Sequence, residues 1–133
     1  MTVCTAFSFQ NGWRPFSSES TKKVGCHPNH LWRTNDRKAG ALVVVKSRNY
    51  DEFAVSKLGL DYLNEALQAK RIEYAVVVLG DWRNRVLTVI SEKPIAEVMA
   101  SLANLTPRNG PFGPCFWMNA DLSPYDLGED DLF

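Results

Sequence analysis

The chain has 133 residues and a formal net charge of zero, with fifteen Lys and Arg against fifteen Asp and Glu. This length fits one domain, and a content of 45% hydrophobic and 23% charged residues excludes wholesale disorder. The charge balance excludes a histone-like or uniformly acidic protein, and the longest apolar runs, Ala41–Val45 and Tyr74–Leu79, fall far short of the roughly 18 residues of a membrane helix.

The start, Met1-Thr2-Val3-Cys4, lacks the basic residues and long apolar stretch of a signal peptide, which predicts a cytoplasmic location and no membrane partner. Val3, Thr5, Phe7 and Phe9 alternate with smaller or polar residues, the period of a half-buried strand. Residues 11–38 mix Gly, Pro, Ser, Asn and charge and read as a long irregular arm, packed on the body through Trp13, Phe16, Leu31 and Trp32. Ala41–Val45 is a continuous, largely β-branched run, as in a strand buried on both faces of a parallel sheet. From Asp51 to Ala69 the period becomes helical. Phe53, Leu60, Leu63 and Leu67 share a face, Asp51 and Glu52 suit the N-terminus, Lys70 and Arg71 suit the C-terminus, and Gly59 moves the expected start towards Leu60.

Tyr74–Leu79 and Val86–Ile90 read as two further strands, joined by a hairpin turn at Gly80-Asp81-Trp82-Arg83-Asn84. Pro94 opens a second helix with an apolar stripe of Ile95, Val98, Met99, Leu102 and Leu105. A loop with three prolines and two glycines, residues 106–114, then displays Phe112 and leads to an edge strand at Cys115–Met118 that carries Phe116 and Trp117. The sum is a single small α/β domain over residues 1–120, with a central mixed sheet in the order β-β-α-β-β-α, helices packed on it, and long irregular arms. Val43, Val45, Leu63, Leu67, Val76, Val78, Val89 and Val98 form its expected core. The strand at Ala41 and the strand at Tyr74 should be parallel, linked by a right-handed crossover.

The zero net charge hides an asymmetry, since residues 1–93 carry fourteen basic against nine acidic groups, and residues 94–133 carry one against six. An acidic tail, residues 121–133, follows a basic body, and such a pair binds polyanions, folds on itself, or offers the tail to a basic partner. Three cysteines make no disulfide framework, and Cys26-His27-Pro28-Asn29-His30 is a lone Cys/His cluster with no second pair to complete a zinc site. No nucleotide loop, serine-hydrolase elbow or metalloprotease helix motif occurs.

Gly40-Ala41-Leu42-Val43-Val44-Val45-Lys46, leading into a helix and two more strands, resembles the core of the PD-(D/E)xK nucleases. In that family two carboxylates hold Mg²⁺ while a lysine orients the attacking water. Lys46 matches the family lysine in position, but Val44 stands where the family has an acid. On the resemblance, Asp36 and Glu52 (or Asp51) would have to supply displaced carboxylates, and Mg²⁺ is implied as a cofactor under that reading alone.

The last eight residues, Asp126-Leu127-Gly128-Glu129-Asp130-Asp131-Leu132-Phe133, are similar to the acidic tip of bacterial single-stranded DNA-binding proteins, without the usual proline before the final Phe. The resemblance implies a protein-docking tip in which acids steer and the Phe133 ring fills a pocket. Asp130, Asp131, Leu132 and Phe133, with Phe112 and Trp117 of the aromatic loop, are therefore the candidate partner-binding residues. Arg33, Arg37, Lys38, Arg48, Arg83 and Arg85, interleaved with Trp32, Tyr50 and Trp82, are the candidate contacts to DNA or RNA.

Three functions compete on these signals. The first is a non-enzymatic binding or accessory protein that works through protein contacts near nucleic-acid machinery, of a size suited to a phage or mobile element. The second is a single-stranded nucleic-acid-binding protein, and the third a metal-dependent nuclease with a displaced carboxylate. The missing acid at position 44 favours the first, which needs no cofactor.

Overall fold

The computed structural model describes residues 13–15, 29–34, 36–45, 53–83, 86–110 and 113–124. Eight strands and two helices lie among them, in a broadly α/β fold: β1 (Trp13–Pro15), β2 (Asn29–Thr34), β3 (Ala39–Val45), β4 (Phe53–Ser56), α1 (Lys57–Gln68), β5 (Tyr74–Arg83), β6 (Val86–Pro94), α2 (Ile95–Ser101), β7 (Arg108–Gly110) and β8 (Gly113–Met118). A five-stranded sheet has the order β1-β2-β3-β5-β6, and a three-stranded sheet the order β4-β8-β7. The β3–β5 pair is parallel, from Ala39 opposite Tyr74 to Val45 opposite Gly80, and every other pairing is antiparallel. The crossover between the two parallel strands therefore exists as the apolar runs require, since both must be covered on two faces.

Each face of β3 and β5 has its own cluster. Leu42, Val44, Val77 and Leu79 point to the helices, where Leu60 and Leu63 of α1, Ile95 and Val98 of α2, and Phe53, Val55 and Met118 of the second sheet bury them. Ala41, Val43, Val76 and Val78 form the opposite cluster, ringed by half-buried Trp32, Ala39, Val45, Tyr74 and Val89. Two glycines bring α1 close to the sheet. A Cβ on Gly40 would stand 2.8 Å from Leu63 Cδ2, and one on Gly59 would stand 2.8 Å from Leu42 Cδ1. Helix α1 starts at Ser56, whose hydroxyl accepts the Gly59 N–H at 3.2 Å.

Several expectations are corrected. The stretch 11–38 contributes β1 and β2 to the main sheet rather than only an irregular arm. Leu31 and Trp32 face opposite clusters of the same sheet, so both sides of β2 take large residues and no alternation shows. Phe53–Ser56 is a strand, not the first turn of a helix, and Phe53 belongs to the second sheet. The β5–β6 ribbon runs on through Gly80–Arg83 with a bulge at Leu79/Gly80, so these residues are strand and not turn. Strand β8 is the centre of its sheet, not an edge. Of the expected core, Val43, Leu63, Val76, Val78 and Val98 are buried, while Val45, Leu67 and Val89 are half-buried at its margin. The strand expected at Val3–Phe9 lies outside the described residues.

Candidate functional site

Two strands that run parallel begin at the same end of a sheet, so the residues before them become neighbours. Before β3 come the turn residues 36–38, and before β5 comes the loop 69–73. The Lys38 carbonyl oxygen joins them, accepting the N–H of Glu73 at 2.6 Å and of Tyr74 at 3.3 Å.

The first loop is built by Thr34 and Asp36. Arg37 N–H donates to the Thr34 carbonyl at 2.9 Å, closing a turn. The Asp36 carboxylate accepts the Thr34 hydroxyl at 2.7 Å and the Lys38 N–H at 3.0 Å, and Thr34 Oγ1 in turn accepts the Ala39 N–H at 3.1 Å. The Thr34 hydroxyl first, then the Lys38 amide, holds Asp36 below the usual aspartate range. Arg37 takes the left-handed conformation, φ 62°.

The second loop ends α1. Lys70 N–H donates to the Leu67 carbonyl at 3.0 Å and Arg71 N–H to the Ala66 carbonyl at 2.9 Å, the paired bonds of a Schellman motif. The position after the cap, which favours glycine, is Lys70 with φ 59°. Arg37, Lys38, Lys70 and Arg71 are all exposed, and Arg33, half-buried, donates from Nη1 to the Thr34 carbonyl at 3.2 Å. Five cations thus stand on or beside two joined loops whose acids are Asp36 and Glu73.

Of the candidate nucleic-acid contacts, the structure unites Arg33, Arg37 and Lys38. Arg83 ends β5 at the opposite end of the sheet, about 30 Å from Tyr74 at some 3.3 Å per residue. Arg48 and Arg85 lie outside the described residues. Lys70 and Arg71 were missed as members of this group because they read as helix-dipole partners. The signal that finds them is the crossover itself, since Arg37-Lys38 and Lys70-Arg71 are basic pairs placed just before two parallel strands.

Of the nuclease candidates, Asp36 alone falls among the described residues. Val44 is buried in the helix-side core, so no carboxylate stands there. Asp36 builds a turn at the start of β3, with about 20 Å of strand between Ala39 and Val45. Lys46, Asp51 and Glu52 lie outside the described residues, and among those described no group of three or more His, Cys, Asp or Glu is placed to hold a metal ion. Phe112, Asp130, Asp131, Leu132, Phe133, Cys26 and His27 also lie outside them, as does the side chain of His30. Trp117 is half-buried on β8 opposite Ala54, and Phe116 packs on the core. No helix among the described residues is long and apolar enough to cross a membrane.

Neither a protein-family model, nor a curated protein, nor a solved structure matches this chain.

Proposed function

We propose that this is a non-enzymatic binding protein that acts on nucleic acid, with the cationic corner at the start of β3 and β5 as its contact to the phosphate backbone. The observation that carries the reading is the Lys38 carbonyl, which by accepting the N–H groups of Glu73 and Tyr74 ties the turn that bears Arg37 and Lys38 to the loop that bears Lys70 and Arg71. Four exposed cations on two loops fixed to each other suit a repeating anion, because each neutralised phosphate releases counterions and the loops need little ordering on binding. Two of the four hold left-handed backbone, which costs roughly 1–2 kcal/mol per residue for a non-glycine side chain.

The acidic tip, Glu129–Phe133, is assigned to a protein partner on its sequence alone, so the protein would bridge nucleic acid and a protein of that machinery. The test is fluorescence anisotropy of a labelled oligonucleotide at low salt. Replacing Arg37, Lys38, Lys70 and Arg71 together by Ala should abolish binding, while Lys57→Ala, on a surface ion pair with Asp61 at 2.6 Å, should not. Equal binding by both variants and the wild type would dismiss the reading.

A further inference from the structure

We propose that residues 1–10 form the layer that seals the face of the main sheet opposite the helices, an inference independent of the corner's reading as a phosphate contact. On that face Ala41, Val76 and Val78 have no exposed surface, and Val43 keeps 2%. Side chains stand upright on a sheet, so neighbours on the same face shield their flanks, and only a second layer, about 10 Å away, shields their tips. Among the described residues none supplies that layer. Both helices, β4 and β8 pack on the other face. The four sealed residues are flanked only by Trp32, Ala39, Val45, Tyr74 and Val89 of the main sheet itself.

Chemistry selects the occupant. Of the chain outside the described residues, 16–28 carries Glu19, Lys22 and Lys23, 46–52 carries four charges, and 125–133 carries four acids. Residues 1–12 carry no charge, and six of the first ten, Met1, Val3, Cys4, Ala6, Phe7 and Phe9, are apolar. A charge set against valines loses its hydration with no partner to replace it, whereas a phenylalanine ring there gains by leaving water. The period of Val3, Thr5, Phe7 and Phe9 turns one side of an extended segment to the valines. Reach allows the placement. Trp13 stands opposite Thr34 on the outer strand β1, three inter-strand steps and four residues from Val78, which is about 20 Å. Twelve extended residues span about 40 Å. With the face closed by the chain itself, a ligand meets the loops at the end of the strands and not the flat of the sheet.

The test replaces Phe7 or Phe9 of the full chain by photo-reactive p-benzoylphenylalanine, with Ser8, on the other side of the segment, replaced in the same way as the control. Circular dichroism verifies that each variant folds. Illumination should cross-link Phe7 and Phe9 positions within one chain to the tryptic peptides 39–46 or 72–83, which hold β3 and β5, and the Ser8 position severalfold less. Cross-links confined to other peptides, cross-links only between two chains, or none from either phenylalanine position would overturn the inference. Deletion of residues 1–10 is the second measurement and needs no unnatural residue. It should lower the thermal midpoint by about 10 °C or more and raise the binding of an apolar dye. A midpoint and dye binding equal to those of the wild type would overturn the inference as well.

Discussion

The Lys38 carbonyl oxygen accepts the Glu73 N–H at 2.6 Å, and through this bond the β2–β3 turn and the loop that ends α1 become one surface. Neither loop alone carries more than a basic pair. Their union follows from parallel pairing, which the buried β-branched runs demand.

The left-handed residues Arg37 and Lys70 should trade stability against binding. Glycine has no Cβ penalty at φ near +60°, so Arg37→Gly and Lys70→Gly should each raise unfolding stability by up to about 1 kcal/mol, partly offset by a freer unfolded chain. Each should also weaken oligonucleotide binding. Urea unfolding and anisotropy on the same variants check both halves, and a stabilised variant with full affinity would detach the strain from the function.

Packing of α1 on the sheet predicts a coupled pair. Gly59→Ala gains helix propensity of roughly 1 kcal/mol but drives a methyl to within 2.8 Å of Leu42 Cδ1 in a closed core, so the net change should be destabilising. Leu42→Ala alone should cost about 2–5 kcal/mol. The double variant should lose less than the two singles together, because each methyl removed makes room for the one added. Simple additivity in urea midpoints would show that the contact does not decide the approach.

These elements also show what could be read from residue order. The two central strands and α2 carry periods that admit one interpretation, and the burial of Val43, Val76, Val78 and Val98 follows from them. Strand β2 was hidden because Leu31 and Trp32 serve opposite faces that are both apolar. Strand β4 was hidden because Phe53 sits at helical spacing from Leu60 while pairing with Met118 some 65 residues later. The cationic corner was half legible: Arg37 and Lys38 stood out as basic residues near Trp32, but Lys70 and Arg71 acquire their meaning from a contact that spans the whole crossover.

Acid should weaken the fold through Asp36 and Asp121. Asp36 is held low by the Thr34 hydroxyl and the Lys38 N–H, and Asp121 by the Ser123 hydroxyl and N–H. A carboxylate whose folded pKa lies below its unfolded value of about 3.9 binds fewer protons when folded, so its contribution is complete above that value and fades as pH falls through the folded pKa. Stability should therefore change little through these groups above about pH 5 and decline below about pH 4. Asp36→Asn and Asp121→Asn should each make the decline shallower in urea midpoints taken from pH 7 to pH 3. An identical decline in wild type and both variants would contradict the assignment.

Truncation after Tyr125 removes Asp126, Glu129, Asp130 and Asp131 and leaves the basic body with a net positive charge. Oligonucleotide affinity should rise severalfold at low salt and converge with the wild type at high salt, as a long-range charge effect must. Capture of a protein partner should be lost in the same variant, and Phe133→Ala alone should account for most of that loss. A truncation that leaves both measurements unchanged would contradict the assignment of the tail.

The salt dependence of oligonucleotide affinity tests the central claim most directly. Four phosphate contacts on a single strand predict that log K falls with log salt at a slope of about −3, near 0.7 per contact. Replacing Arg37 and Lys38 by Ala should make the slope shallower by about 1.4, and replacing Lys70 and Arg71 should do the same. A slope unchanged by both pairs would show that nucleic acid, if bound, is held elsewhere on the molecule.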